Sequence, residues 1–127
     1  MKRDLDLLRE ILLSIEEFEP QSVSAVQSIS FKDFSGTEPQ NLYHINMLIE
    51  VNFIDLVGKA TLSGDFPIRG ITMLGHDFLD AVREPTVWAR TKGRLKDMGG
   101  WTLEIALAVA KEELKRQLVQ GFPGGQL

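Results

Sequence analysis

Thr37-Glu38-Pro39-Gln40-Asn41-Leu42-Tyr43-His44-Ile45-Asn46-Met47-Leu48-Ile49-Glu50-Val51-Asn52-Phe53-Ile54-Asp55-Leu56-Val57 is the stretch that decides the fold. Thr37 is a suitable helix N-cap. Glu38 and Pro39 suit the first turn, where an acid meets the positive end of the helix dipole and proline's missing N–H costs nothing. Leu42, Ile45, Leu48 and Ile49, with Met47 alongside, then recur at the spacing of a helix with one buried face. Asn52 tolerates the left-handed backbone that ends a helix. The pattern changes at Phe53-Ile54-Asp55-Leu56-Val57, which after Gly58 runs on to Leu62. Gly64-Asp65 marks a turn, and Pro67 to Met73 reads as the returning strand of a β-hairpin. A helix feeding directly into a two-stranded hairpin predicts the core of a winged helix.

Working outward from this core, residues 4–18 predict a first helix. Leu5, Leu8, Ile11, Leu12 and Ile15 share one face, Asp4 and Asp6 suit its start, and Pro20 stops it. Residues 22–31 show partial alternation through Ile29 and Phe31, as expected of an extended strand. Ser35-Gly36 then turns the chain, and the extra helix usually found before a winged helix's recognition helix is lacking unless residues 32–37 supply a short turn. On the C-terminal side, Gly75 precedes a third helix from His76 to about Arg83, with Phe78, Leu79 and Val82 toward the core. Pro85 opens a fourth helix, Gly99-Gly100 breaks it, and residues 101–119 form the last. The expected architecture is α+β: a winged-helix-like core of helix, helix and β-hairpin with appended C-terminal helices. It forms a single domain over residues 1–120, with a flexible tail at 121–127.

With 127 residues, the chain has the length of one domain. It contains no cysteine, so packing and not disulfides must stabilise it. No long apolar run follows Met1, and Glu10, Glu16, Glu17 and Glu19 interrupt the first segment. The expectation is therefore no signal peptide, no membrane span and a cytoplasmic home. The formal charge of −4 is unevenly spread. Residues 1–57 hold four Lys/Arg against ten Asp/Glu, and residues 58–127 hold ten against eight. An acidic first half argues against broad binding to a phosphate backbone, which relies on Lys and Arg to release counterions.

Several stretches resemble a known family. They are Met1-Lys2-Arg3-Asp4-Leu5-Asp6-Leu7-Leu8-Arg9-Glu10-Ile11-Leu12, then Tyr43-His44-Ile45-Asn46-Met47-Leu48 with Phe53-Ile54 after it, and Leu74-Gly75-His76-Asp77-Phe78-Leu79-Asp80-Ala81-Val82-Arg83 followed by Val87-Trp88 and Thr91-Lys92. Together they resemble an uncharacterised bacterial and phage family, domain of unknown function 2513. The family pattern has Glu-Ala-Gly-Leu-Ile at the helix-to-hairpin junction, where this chain has Glu50-Val51-Asn52-Phe53-Ile54. The resemblance implies a winged-helix-like fold and a frequent home in prophages. It carries over no catalytic residue.

No catalytic constellation emerges from the residues themselves. His44 and His76 are the two histidines and lie on different predicted helices, without metal-ligand spacing. His44 is expected at the edge of its helix and His76 near the start of the third. The serines lack a nucleophile motif, and the glycines do not form a phosphate loop. No cofactor, metal or catalytic residue is predicted.

The expected function is therefore a non-enzymatic binding module, of phage or mobile-element origin, working through protein contacts. The alternative is a DNA-binding transcriptional regulator. Its recognition surface would be Gln40, Asn41, Tyr43, His44 and Asn46 on the helix at 38–51, and its basic patch Arg83, Arg90, Lys92, Arg94 and Lys96 within 83–96. That helix has no Lys or Arg to fix it against phosphates. The last helix predicts a homodimer. Leu103, Leu107, Ala110, Leu114 and Leu118 form one apolar stripe, while Trp101, Ile105 and Val109 on another side hold the helix to the core, and Glu113 lies at an exposed margin.

Overall fold

A computed structural model describes residues 2–18, 26–62 and 64–121. Its elements are α1 (Leu5–Glu16), β1 (Gln27–Ser30), α2 (Glu38–Glu50), β2 (Ile54–Leu56), β3 (Asp65–Ile71), α3 (Met73–Val82), α4 (Pro85–Asp97) and α5 (Leu103–Gly121). The fold is α+β, with five helices and one three-stranded antiparallel sheet in the order β1-β3-β2 among the described residues. The chain divides into two compact units, residues 1–76 and 77–127, and the division falls within α3.

In the first unit the sheet is built around β3. Gln27 faces Ile68 and Ser30 faces Asp65 on one side, and Ile54 faces Ile71 on the other. The alternation of β3 puts Phe66 and Ile68 inside. They join Leu7, Leu8, Ile11, Leu12 and Ile15 of α1, Ile45 and Leu48 of α2, and Ile54 of β2, all buried. Asp4 is the N-cap of α1, and its carboxylate accepts from the backbone N–H groups of Asp6 and Leu7 at 3.0 and 3.2 Å. α1 ends at Glu16, two residues short of its expected end. The predicted strand from Ser22 is described only from Val26 onward, because residues 19–25 lie outside the described residues.

α2 starts as its sequence predicts. The Thr37 hydroxyl accepts from the Gln40 N–H, and the Gln40 side chain accepts from the Thr37 N–H, a reciprocal capping box. Beyond its end, Asn52 has a φ of 64°, the left-handed conformation expected there.

α3 departs from expectation, since it begins at Met73 and not His76. The Thr72 hydroxyl accepts from the Gly75 N–H and donates to the Asn52 carbonyl, which starts the helix a turn early. Gly75 is thus inside the helix, not a hinge before it. A Cβ there would lie 2.5 Å from the Ile71 Cγ2 and collide with the Phe53 carbonyl oxygen, so glycine serves close backbone approach.

The second unit contains buried Phe78, Leu79, Ala81 and Val82 of α3, Val87, Trp88, Thr91 and Leu95 of α4, and Leu103, Ala106, Val109 and Ala110 of α5. Phe78 and Trp88 meet edge to face, with ring centroids 6.4 Å apart. Glu84 caps α4, accepting from the Val87 N–H at 2.9 Å. The backbone N–H groups of Thr86 and then Val87 hold its carboxyl below the usual range. A lowered value means that the cap stabilises above the ordinary carboxylate range and fades as pH falls through the lowered value. The Gly99-Gly100 break appears as expected, with Gly99 at φ 78°. α5 starts at Leu103, two residues later than expected, where the Thr102 hydroxyl accepts from the Ile105 N–H. Residues 122–127, the bulk of the expected tail, lie outside the described residues.

Candidate functional site

The helix at 38–51 is where base reading was expected, and its polar side chains divide sharply. Asn41 is 1% exposed and is not available to a ligand. Its Nδ2 donates to the carbonyl oxygens of Phe31, Phe34 and Gly36 at 2.7, 3.1 and 3.1 Å. One amide therefore closes the turn between β1 and α2. Gly36 makes room for it, since a Cβ there would lie 2.6 Å from the Asn41 Oδ1. That Oδ1 is buried and has no hydrogen-bond partner among the described residues.

His44 is fully buried, which corrects its expected place at the helix edge. Its Nε2 accepts from the Asp4 backbone N–H at 2.7 Å, and its Nδ1 lies 2.6 Å from the Gln40 carbonyl oxygen. A carbonyl can only accept, so Nδ1 carries the proton and the ring is neutral. The imidazole thus ties α2 to the start of α1. Gln40 is committed to the capping box. Of the five expected recognition residues, Tyr43 is half-buried and Asn46 is exposed. What the helix presents outward is Glu38, Pro39, Leu42, Asn46 and Glu50. Leu42, expected on the buried face, is 40% exposed.

The basic run is largely engaged with its own unit. Arg83 pairs with Asp80 at 2.8 Å, and Arg90 donates to the Gln117 side chain at 3.1 Å. Lys92 lies 5.3 Å from the centre of the Trp88 ring, within cation–π range. Arg94 pairs with Glu112 and Glu113 at 2.9 and 3.0 Å. Those two carboxylates, Glu112 first, raise the guanidinium's pKa further. Lys96 is exposed on the last turn of α4, where a cation complements the helix dipole.

The expected stripe on α5 does not form one outward surface. Leu103 and Ala110 are buried, Leu107 and Leu114 are half-buried, and Leu118 is 38% exposed. Ile105, expected to anchor the helix, is also exposed. The buried face is rotated toward Ala106, Val109 and Glu113. Glu113 is not on an exposed margin: it is 1% exposed and lies between Arg94 and Arg116, at 3.0 and 3.4 Å. Buried carboxylates need such partners, because desolvating an unpaired charge is costly.

His76 is exposed, and its backbone N–H bonds the Thr72 carbonyl. It lines a concavity of about 190 Å³ with Ile15, Glu16, Phe18, Gln27 and Arg69, in which Arg69 is already paired with Asp55 at 3.5 Å. Among the described residues, no group of three or more His, Cys, Asp or Glu side chains comes together to hold a metal ion. No helix among them is long and apolar enough to cross a membrane.

A family model described as Hypothetical protein (DUF2513) matches residues 2–101. An uncharacterised protein of Haemophilus influenzae is similar, at 32% identity over 114 residues, which cover 88% of this chain and 91% of that protein. No solved structure matches the chain.

Proposed function

This chain belongs to the family described as Hypothetical protein (DUF2513), and from that premise we propose that it is a non-enzymatic, winged-helix-like binding module acting through protein contacts. The winged-helix element of the reading is supported by the order β1-α2-β2-β3 after α1 and by the sheet order β1-β3-β2. The protein-contact element rests on one observation. Asn41 and His44, which a DNA reader would extend into a groove, are buried and hydrogen-bonded within the fold. A home in phages or other mobile elements belongs to the same proposal and rests on the family resemblance alone.

The test is a binding titration of duplex DNA at physiological salt. The expected result is nothing tighter than the ~10⁻⁴–10⁻⁶ M of non-specific association. A sequence-selective complex at roughly 10⁻⁸ M or tighter would instead establish the transcriptional-regulator reading.

Homodimerisation stays part of the proposal in a narrower form. Its surface is the margin of α5 formed by Leu107, Leu114 and Leu118, which retains exposed apolar area. Light scattering should find a dimer for the wild type and a folded monomer for Leu107→Glu/Leu114→Glu. A wild type that stays monomeric at high concentration ends this part of the proposal.

A further inference from the structure

We propose that the outer edge of β1 takes an extended segment of a partner protein by strand addition. An apolar side chain of that segment enters the cavity between β1 and α1, with Lys or Arg two residues away from it. The inference rests on the protein-contact reading above and names a surface and the chemistry of its partner.

The backbone sets the edge. β3 is the central strand, and its residues face its two neighbours alternately. The Pro67 carbonyl accepts from the Val57 N–H at 2.7 Å, on the β2 side. Phe66 and Ile68 therefore face β1, where they stand opposite Ile29 and Gln27. Ser28, opposite Pro67, turns its N–H and carbonyl the other way, out of the sheet. Among the described residues no strand pairs with that edge. Its far end is closed, since the Ser30 N–H donates to Asp33 Oδ2 at 2.8 Å and the Ser30 carbonyl accepts from the Asp33 N–H at 3.0 Å. Ser28 is exposed, and an antiparallel strand exchanges both bonds with a residue so placed.

A cavity of about 350 Å³ lies along the same edge, with Ser28 in its wall. Ile15 and Phe18 line it from α1 and the residues after it, and Ile29 and Phe34 from β1 and the turn that follows. Ile15, Ile29 and Phe34 are buried, while Phe18 is 45% exposed. An apolar wall thus stays wet beside a main-chain donor and acceptor at an open edge. Strand addition uses that combination: main-chain bonds hold the guest, and a pocket selects among its alternate side chains. A helical guest spends its own N–H and carbonyl groups internally, so the edge selects an extended one. Charge narrows the choice. Glu17 and Asp33 are the charged residues in the wall among the described residues, and Asp33 is engaged by Ser30. Glu17 is exposed. A cation two residues from the apolar side chain shares its face of the strand, and so its access to Glu17.

The experiment uses the full chain, labelled with ¹⁵N, and the end-blocked peptide Thr-Lys-Thr-Leu-Thr-Lys-Thr, whose leucine and lysines share one strand face. The expected result is saturable binding that shifts the amide of Ser28 and those of residues 15–18 and 33–34. N-methylating the two threonines beside the leucine removes the donor to the Ser28 carbonyl, and should weaken binding by up to roughly tenfold, the worth of one hydrogen bond. Alanine for the leucine, or glutamate for the lysines, should weaken it several-fold. In the protein, Ser28→Pro removes the outward N–H and spares the bonds to β3, as proline does on an edge strand, and should cost as much as the N-methylation. Should that variant fold poorly, Phe18→Ser at an exposed position serves in its place, with a several-fold loss. Unchanged binding of the N-methylated peptide, or by Ser28→Pro, would show that no strand is added and overturn the proposal. No binding of the parent peptide, or shifts elsewhere, would overturn it as well. Duplex DNA is the second probe. A sequence-selective DNA complex would overturn the protein-contact reading itself, whereas peptide failure without one removes the strand-addition site alone, so the two failures are distinguishable.

Discussion

Phe78→Ala lowers the stability of the protein by about 3–5 kcal/mol, the range for truncating a buried aromatic. Phe78 is wholly buried on α3 and its ring stands edge to face with Trp88 of α4. Alanine removes the apolar area and leaves a space that helices fixed by their own hydrogen bonds cannot fill. The aromatic pair adds to the loss beyond area alone. Trp88 and Trp101 are the two tryptophans and both belong to residues 77–127, so tryptophan fluorescence follows unfolding of the unit that holds the substitution. Denaturant titration should show an earlier midpoint in that signal. An unchanged midpoint would mean that Phe78 does not anchor α3.

The same residue shows what the sequence makes legible. Leu79 and Phe78 lie three and four residues before Val82, and all three are buried as that spacing predicts. The helix boundaries at Thr37, Asn52, Pro85 and Gly99 were readable for a similar reason. Each is a local backbone requirement met by one residue type. Faces were harder to read than boundaries. On α2 the hydrophobic pattern points to Leu42, but the buried face is Asn41, His44, Ile45 and Leu48. These four share the helical period equally well, and only their polarity hid two of them. An amide becomes an interior residue when three loop carbonyls need a donor, and an imidazole when an N–H and a carbonyl face each other across it. Those partners come from residues 4, 31, 34, 36 and 40, and tertiary folding brings together what periodicity cannot. Glu113 repeats the lesson on α5. Its charge reads as solvent-facing until Arg94, nineteen residues earlier, turns out to bond it.

The strongest test of this reversal is Asn41→Asp. The substitution keeps the size and shape of the side chain but replaces the donor Nδ2 with an oxygen. Three carbonyl oxygens converge on that atom within 3.1 Å. An ionised carboxylate there would set a negative oxygen against three partial negative charges, and a protonated one would donate to only one of the three carbonyls. The opposite amide orientation offers no escape in the wild type either, since it would place Oδ1 where only acceptors wait. Leaving a buried polar group unsatisfied costs ~1–3 kcal/mol, and charge repulsion adds to this. The expected loss is therefore about 3 kcal/mol or more, a fall in melting temperature on the order of 10 °C. The single tyrosine, Tyr43, makes an edge contact with His44 at 5.4 Å between ring centres, so its near-ultraviolet dichroism reports on the same unit. That signal should melt early in Asn41→Asp. Asn41→Ala, which removes the donor without adding a charge, should fall between that variant and the wild type. Wild-type melting of Asn41→Asp would show that the amide is not what closes the turn between β1 and α2. Asn41 would then return to the set of side chains available to a ligand, and the case against DNA reading by α2 would lose its main support.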